Sequence, residues 1–269
     1  MKLVGKTVLI TGASHGIGAG TARVLAAHGA RVALVARDPE ALAAVADEVR
    51  TGGGTAETFS ADLTDIERVS ALQAEVSDRW GTPDVIVNSA GAGHFLFIEE
   101  TKMEDFVTQM AAPYFAACFV TRAFIEGMLA RGSGRIVNVN SPASRAVWPG
   151  AIGYAGTRWA LRGFSEALRA DLAGTGIGVT EAVIGKVSTS YWAKNPGAED
   201  RVPRIAKLSA ALSCDDAGAV VLRGIEADKS QVFAPWSTRM VELQSRLAPG
   251  LVQQLMIRTG ARRPLPNPV

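Results

Sequence analysis

Short uninterrupted apolar runs alternate along the chain with longer segments whose apolar residues recur every three or four positions. The first pattern predicts strands buried on both faces, and the second predicts amphipathic helices. Because the two alternate, we expect parallel strands joined by right-handed helical crossovers. The predicted fold class is therefore α/β, a doubly wound parallel sheet of about seven strands with helices on both faces and a C-terminal helical tail. Strands are predicted near Thr7–Ile10, Val32–Ala36, Ala56–Ser60, Val85–Asn88, Arg135–Asn140, Val179–Ile184 and Gln231–Phe233. Helices are predicted near Ile17–Ala27, Pro39–Arg50, Ile66–Trp80, Met103–Ala130, Gly153–Leu172 and Asp215–Ala227.

Two regions depart from this alternation. From Ser188 to Ala211 the chain is polar and interrupted by proline and glycine, which indicates either a mobile flap or an ordinary surface insertion. We assign residues 1–236 to one α/β domain and residues 237–269 to a helical extension broken at Pro249-Gly250. The extension is interpreted as two helices that pack on the body or on a second subunit, in preference to a basic element lying on a membrane surface. Its apolar positions at helical spacing are Met240, Leu243, Leu247, Leu251 and Leu255.

Composition narrows the class of protein. Of the 269 residues 48% are hydrophobic and 20% charged, and the net charge of +2 is too small to argue for a nucleic-acid partner. With only Cys118 and Cys214, a reducing cytoplasm fits best. The N-terminus has no apolar signal-peptide core, and the apolar stretch Met110–Val120 is too short to cross a bilayer, so we expect no membrane contact.

The turn from the first strand into the first helix reads TGASHGIG, from Thr11 to Gly18. Unpaired backbone N–H groups at such a helix N-terminus can hold a phosphate. Gly12 would make the tight turn, Gly16 would admit a pyrophosphate, and Gly18 would let the helix pack close to the sheet. The spacing G-x-x-x-G-x-G differs from the G-x-G-x-x-G dinucleotide fingerprint, and alone it can also be structural punctuation.

Further motifs follow in order. They are Asp62-Leu63, the stretch Asn88-Ser89-Ala90-Gly91, and Ser141 thirteen residues before Tyr154. With the glycine turn, they make the chain resemble the short-chain dehydrogenase/reductase family from about Val4 to about Ala234. The resemblance implies a Rossmann-type domain that binds a nicotinamide dinucleotide, and a homodimer or homotetramer. The cofactor-binding residues it implies are Gly12, Ser14, His15, Gly16, Ile17, Gly18, Arg37, Asp62, Leu63, Asn88, Ala90, Gly91, Tyr154, Arg158, Gly185, Val187 and Thr189.

The end of the second strand bears on the choice of cofactor. An acidic side chain there would bind the ribose 2′-hydroxyl of NAD, but the position holds Ala36, and Arg37 follows. A guanidinium suits a 2′-phosphate, and His15 can add a second donor, so we expect NADP(H). Alternatively Arg37 pairs with Asp38 or Glu40, which would weaken the preference and leave Asp38 to serve the ribose of NAD.

The catalytic residues implied by the resemblance are Ser141, Tyr154 and Arg158. In the family Tyr exchanges a proton with the substrate oxygen, Ser positions the carbonyl, and a Lys four residues after Tyr holds the nicotinamide ribose. Here Arg158 replaces that Lys and keeps a positive charge on the same helix face. Because Arg is larger, planar and permanently protonated, we expect Arg158 to bind ribose and favour ionisation of Tyr154 with poorer geometry.

Two other family positions differ. Pro113 replaces an Asn that interrupts the long helix and exposes a carbonyl for a relay water. Proline also interrupts a helix, so we expect the carbonyl of Gln109 to lose its usual partner and bind water. After the sixth strand, the family's Pro-Gly is Ile184-Gly185, and backbone contacts to the nicotinamide can persist through Val187 and Thr189.

The expected substrate pocket is mostly apolar or aromatic, which favours a hydrophobic ketone or secondary alcohol. His94 is a candidate acid–base group, although a loop histidine is more often solvent-facing or helix-capping. We favour an NADPH-dependent reductase over a cofactor-binding sensor without turnover and over a non-redox isomerase or dehydratase. The residues expected to line the pocket are Ala92, Gly93, His94, Phe95, Leu96, Pro142, Ala143, Val147, Trp148, Tyr191 and Trp192.

Overall fold

The computed structural model describes residues 1–91 and 93–263, with the side chains of Lys194 and Leu208 also left undescribed. Its centre is a sheet of seven parallel strands in the order β3-β2-β1-β4-β5-β6-β7, which confirms the predicted fold class. The strands are β1 (Thr7–Thr11), β2 (Arg31–Ala36), β3 (Thr55–Ser60), β4 (Val85–Asn88), β5 (Gly134–Asn140), β6 (Ile177–Ile184) and β7 (Gln231–Ala234).

Helices cover both faces of the sheet. On one face α1, α2 and α8 bury their apolar sides, and on the other α3, α5 and the end of α6 do so. The helices are α1 (Gly16–Ala27), α2 (Pro39–Thr51), α3 (Ile66–Trp80), α4 (Met103–Met110), α5 (Ala116–Arg131), α6 (Ile152–Asp171), α7 (Tyr191–Lys194), α8 (Cys214–Glu226), α9 (Trp236–Leu247) and α10 (Pro249–Thr259). Within the described ranges, none of them has both the length and the apolarity needed to cross a membrane.

The strand order places a crevice at the carboxyl edge of the sheet. The chain runs outward from β1 through β2 to β3, then returns to the other side of β1 for β4. Loops that leave β1 and β4 therefore diverge to opposite faces, and ligands of open parallel sheets bind at such a reversal. The fold thus determines where a site can form.

Helices α1 and α8 pack so closely that glycine is required at their contact. A Cβ on Gly20 would lie 2.1 Å from the carbonyl oxygen of Cys214, and one on Gly218 would lie 2.7 Å from that of Gly20. Both neighbours are backbone atoms, so neither can move aside as a flexible side chain would. The two helices are held together by main-chain proximity as well as by their apolar side chains.

The C-terminal helices pack on the body of the same chain. A buried ionic cluster fixes α9, because the guanidinium of Arg145 pairs with Glu181 on β6 and with Glu242 on α9. The Arg145 and Glu181 side chains are almost wholly buried, and Asn140 donates to Glu181 over 2.7 Å. A buried guanidinium needs such partners, so the cluster ties the tail to the strand ends.

The α1–α8 contact generates a paired prediction. We expect Gly20→Ala to lower the free energy of unfolding by about 2–3 kcal/mol, because the new methyl group overpacks a backbone contact. Gly163→Ala is the matched control. Gly163 lies inside α6 with nothing within 4 Å of its Cβ position, so this change should raise stability by up to about 1 kcal/mol. Chemical denaturation of both variants measures the difference, and equal midpoints would contradict the account.

Candidate active site

One cavity of about 1250 Å³ opens at the carboxyl edge of the sheet. It exceeds the roughly 300–1,000 Å³ common for small-molecule sites. The loops after β1 to β6 all contribute to its wall. Of the sequence-predicted cofactor and catalytic residues, all but Asn88 line it.

The glycine turn after β1 is tightly packed. Gly12 has φ +64°, and a Cβ there would lie 2.8 Å from Cα of Ala90. A Cβ on Gly18 would lie 2.2 Å from the carbonyl oxygen of Gly12. Helix α1 begins at Gly16, and no side chain caps its first amides. The turn therefore presents bare backbone to the cavity, as an approaching phosphate requires.

Thr11 connects this turn to the end of β4. Its Oγ1 accepts hydrogen bonds from the backbone N–H groups of Ser89 and Ala90, each over 3.0 Å. Asn88, expected among the cofactor contacts, is buried beneath the cavity instead, where its amide donates to Asn138 Oδ1 over 2.9 Å and to Thr121. Its motif position suggested a cofactor contact, but its side chain supports the strand ends.

The guanidinium of Arg37, in the loop after β2, also lines the cavity. Within residues 1–91 and 93–263, no carboxylate lies within salt-bridge distance of Arg37. Asp38 caps α2 by accepting from the N–H groups of Glu40 and Ala41, each over 3.1 Å. Hydrogen bonds from Thr64, helped by the charge of Arg37, lower the pKa of Asp62. The alternative pairing of Arg37 with Asp38 or Glu40 does not form.

Tyr154 and Ser141 face the middle of the cavity. Ser141 follows β5, where its N–H donates to Asn140 Oδ1 over 2.8 Å and its Oγ accepts from the N–H of Ala143 over 3.3 Å. Among the described residues no acceptor takes the Ser141 hydroxyl proton, so the hydroxyl can donate into the cavity. The ring of Tyr154 packs edge-on against Phe95, with centroids 4.9 Å apart.

Arg158 lies on the face of the Tyr154 ring. Its Cζ is 4.9 Å from the ring centroid, and Nη1 donates to the carbonyl oxygen of Val139 over 3.3 Å. Its Nε is buried without a partner. The guanidinium thus places a positive charge over the ring of Tyr154 in a cation–π contact.

The long helix predicted from Met103 is interrupted at Pro113, as expected. A π-helical segment, Ala111–Phe115, separates α4 from α5. The carbonyl of Gln109 is not left to water alone, because the hydroxyl of Thr157 on α6 lies 3.2 Å from it. The expectation of an exposed carbonyl was therefore incomplete, since it took no account of a hydroxyl on the neighbouring helix.

Sequence reasoning missed the side chain of Gln109. Its Oε1 accepts from the N–H of His94 over 3.1 Å, while its buried Nε2 has no partner. A Cβ on Gly153 would lie 2.5 Å from that nitrogen, so glycine makes room for the amide. Gln109 therefore holds the loop after β4 against the start of α6, and a single Gln in a helix gives no signal of such a role.

Aromatic side chains form the expected pocket around Phe95. Trp148, Trp192 and Tyr191 have ring centroids 5.7, 6.3 and 6.4 Å from that of Phe95. Leu96, Ala143 and Val147 do not line the cavity, and Ala92 lies outside the described residues. The expected residues that do line it are Gly93, His94, Phe95, Pro142, Trp148, Tyr191 and Trp192.

The segment from Ser188 to Ala211 borders the cavity and is held by two of its side chains, Tyr191 and Arg201. Tyr191 donates its phenolic proton to the carbonyl oxygen of Gly93 over 2.6 Å. Burial, with the neighbouring Tyr154, raises the pKa of Tyr191 far above its usual value, so the phenol stays protonated. Arg201 forms a bidentate pair with Glu100. Tyr191 therefore serves as a fastening group, leaving Tyr154 as the phenol available for proton transfer.

The C-terminal helices also reach the cavity, which the sequence did not indicate. Helical spacing predicted α9 and α10, but not the surface that they cover. Their lining residues are Ser237, Thr238, Met240, Val241, Gln244, Val252, Leu255 and Met256.

The sheet order and the bare glycine turn define a Rossmann-type α/β protein. A family model described as short chain dehydrogenase matches residues 6–200. The chain therefore belongs to the short-chain dehydrogenase/reductase family, a family of oxidoreductases, and the resemblance in the sequence is confirmed.

Solved structures agree with this assignment. A short-chain dehydrogenase from Streptomyces avermitilis superposes with a TM-score of 0.79 at 28% identity, covering 90% of this chain and 93% of that one. A metagenomic short-chain oxidoreductase in complex with NADP superposes with a TM-score of 0.72 at 29% identity, covering 87% of this chain and 98% of that one.

Curated relatives match over shorter portions of their length. Ketoacyl reductase HetN of Nostoc is 34% identical over 69% of this chain and 65% of that protein. Fatty acyl-CoA reductase Rv0547c of Mycobacterium tuberculosis is 40% identical over 51% of this chain and 47% of that protein. Glycine betaine reductase ATRR of Emericella nidulans is 33% identical over 73% of this chain and 16% of that protein. The chain thus spans less than two thirds of the length of these relatives.

The Glu100–Arg201 pair predicts a pH dependence. The hydrogen bonds from Arg201, then from the N–H of Phe97, lower the pKa of Glu100 from 4.5 to about 2. A lowered folded-state pKa stabilises the protein above pH 4.5, and this contribution is lost as the pH falls toward 2. Since the pair is partly exposed, we expect Glu100→Gln to cost at most about 1 kcal/mol at neutral pH.

The measurement is the difference in melting temperature between the native protein and Glu100→Gln from neutral pH downward. The difference should narrow below pH 4.5, and Asp78→Asn, at an exposed carboxylate on α3, is the control for the loss of one carboxylate. A constant or widening difference for Glu100→Gln would be incompatible with the assigned pair.

Proposed function

We propose that this protein catalyses NADPH-dependent reduction of an apolar ketone, or the reverse oxidation of a secondary alcohol, with Tyr154 as general acid and base. One observation carries the proposal. Ser141, Tyr154 and Arg158 line the same cavity as the glycine turn and Arg37. A cofactor bound along that cavity would reach from a phosphate site to the phenol.

The residues fit NADP(H). The turn around Gly12 and Gly18 has no room for side chains and exposes backbone, which suits a pyrophosphate. Arg37, without a carboxylate partner in the described ranges, suits the 2′-phosphate. Asp62 and Leu63 would contact adenine, and the loop carrying Gly185, Val187 and Thr189 would hold the nicotinamide end. The metagenomic relative in complex with NADP supports this choice.

When bound, the cofactor supplies a hydride from nicotinamide C4. The phenol of Tyr154 gives its proton to the carbonyl oxygen as the alcohol forms. Ser141 donates a second hydrogen bond to that oxygen, since its hydroxyl keeps a proton to donate while the oxygen accepts from the N–H of Ala143. Tyr191 cannot take this role, since its proton is held by Gly93.

Arg158 has two roles in the proposal. Its charge beside the ring stabilises the phenolate that remains after proton transfer, and its remaining N–H groups bind the ribose. A guanidinium keeps its proton at all ordinary pH, so it cannot relay one. Tyr154 is therefore reprotonated from water in the cavity.

The aromatic pocket around Phe95 favours apolar substrates over charged ones. Two relatives are named as reductases of ketoacyl and fatty acyl-CoA substrates, which supports reduction of a carbonyl carbon. His94 also lines the cavity, and its backbone N–H donates to Gln109 Oε1. We keep Tyr154 as the proposed acid because the positive charge of Arg158 lies over its ring.

The proposal includes a homodimer or homotetramer. Large apolar side chains remain exposed on α4, the π-helical segment and α6, a pattern that self-association would bury. They are Met103, Phe106, Val107, Phe115, Ile152 and Trp159.

A second candidate is an NADP(H)-binding sensor without turnover. The hydrogen bond from Arg158 to Val139 favours the sensor, because it uses one of the guanidinium N–H groups that would otherwise bind the ribose. Retention of Ser141 and Tyr154 in one cavity favours catalysis.

The deciding experiment follows NADPH absorbance with a panel of apolar ketones. We expect NADPH consumption, and we expect Tyr154→Phe to lower kcat by at least about 100-fold with little change in NADPH affinity, because only the proton donor is removed. Tyr114→Phe, outside the cavity lining, is the control and should keep normal turnover. Tight NADPH binding without turnover would favour the sensor, and product formation without NADPH consumption would favour an isomerase or dehydratase.

Arg158 variants test the departure from the family. We expect Arg158→Met to weaken NADPH binding about tenfold or more, equivalent to about 1.4 kcal/mol, since the cation is lost. Arg158→Lys should retain binding and change kcat, because a compact ammonium cannot stack on the ring in the same way. Affinities come from fluorescence titration and kcat from the absorbance assay. If Arg158→Met left the NADPH affinity unchanged and Arg158→Lys left kcat unchanged, Arg158 would have neither of its two proposed roles.

A further inference from the structure

An unbroken apolar wall runs from Tyr154 to the C-terminal helices. Phe95 contacts the Tyr154 ring on one side and Trp148 on the other, with centroid distances of 4.9 and 5.7 Å. Trp148 in turn packs against the cluster that contains Val252 and Met256 of α10. The proton donor and the tail therefore border one continuous space.

The tail contributes both the floor and the rim of this space. Val252 and Met256 are each only 7% exposed, whereas Met240 and Leu255 are 39% and 37% exposed. All four line the cavity. We call the part of the cavity that α9 and α10 line the tail half. The buried pair forms its floor, and the half-exposed pair lies where the cavity meets solvent.

This half of the cavity is neutral. Among the described residues, the lining that α9 and α10 supply contains no charged side chain, and its polar members are Ser237, Thr238 and Gln244. The hydroxyls of Thr238 and Ser237 are already hydrogen-bonded, to the carbonyl oxygen of Pro235 and to the hydroxyl of Ser209. Two of its eight lining residues are methionines, whose flexible thioethers adapt to varied apolar shapes. A charged group would find no oppositely charged partner in this lining.

The wall is held in place. Glu242, which directly follows the lining residue Val241, pairs with the buried Arg145, four residues after Ser141. The N–H of Arg204 donates to the carbonyl oxygen of Thr259 over 2.9 Å, which ties the end of α10 to the segment that borders the cavity. Helices α9 and α10 are therefore fixed against the rest of the cavity wall.

We infer that the tail half of the cavity binds an unbranched aliphatic chain attached to the reacting carbonyl, so that the substrate is a long-chain ketone or its alcohol. This inference rests on the proposed reductase function for the chemistry at Tyr154. It assigns the floor residues Val252 and Met256 as determinants of chain length.

A series of methyl ketones with straight alkyl chains, from propyl to dodecyl, tests the inference with NADPH. We expect kcat/KM to rise with each added methylene, by up to about fourfold, until the chain reaches the floor; fourfold corresponds to about 0.8 kcal/mol per buried methylene. Val252→Phe should shorten the optimum chain and leave the shortest ketones near their normal rate. Leu251→Phe, exposed on the same helix, is the matched control.

Leu255→Phe, at the half-exposed rim, gives a second variant that the fold should tolerate, and it too should penalise long chains selectively. A kcat/KM that does not vary with chain length in the native protein would overturn the inference, as would equal losses for all lengths in both variants.

Binding without turnover separates this inference from the proposed function. Straight-chain alcohols of the same lengths are titrated against a fluorescent naphthylamine probe held in the apolar cavity. If no ketone is reduced but longer alcohols displace the probe more tightly, and Val252→Phe removes that trend, the chain site stands and the reductase proposal falls. Displacement independent of length would overturn the chain site itself.

Discussion

The site depends on how closely the turn after β1 approaches the end of β4. Gly12 lies against Ala90 with no room for a Cβ, and Thr11 fixes the same loop by accepting two of its backbone N–H groups. Because β1 and β4 border the reversal of strand order, this contact sets the width of the crevice. Every group proposed to bind the cofactor is positioned relative to that crevice.

Arg158, which stands where the family has lysine, affects the charge beside Tyr154 more than the packing of its ring. The guanidinium of Arg158 stacks on the Tyr154 ring and donates to Val139, so it supplies a fixed positive charge without a titrating group. The phenol keeps its place through Phe95 and the tight approach of Gly93, whose Cβ position lies 2.6 Å from Tyr154 Cδ2. The Tyr154 ring is thus held by packing and lies beside a positive charge, and the packing does not depend on whether Arg or Lys occupies position 158.

Local signals predicted most of the fold. The bounds of β4 and α3 were predicted as observed, because Asp65 caps the start of α3 and Gly81 follows its end. Features that depend on a neighbouring element were not predicted. The hydroxyl of Thr157 beside the carbonyl of Gln109, the burial of Asn88 under the cavity, and the C-terminal helices in the cavity wall each require knowledge of which surfaces meet. The residues expected at the reacting centre do border one cavity, and their catalytic roles stay predictions.

The most direct test of the account uses NADPH deuterated at nicotinamide C4, incubated with the protein and an apolar ketone. Mass spectrometry of the alcohol product measures where the label goes. We expect deuterium on the carbinol carbon of the product from the native protein, and at least about 100-fold slower formation of that labelled product when Tyr154 is replaced by Phe. The experiment is done twice, with NADPH labelled on one face of C4 and then on the other. An alcohol product without label in both cases would contradict hydride transfer from NADPH.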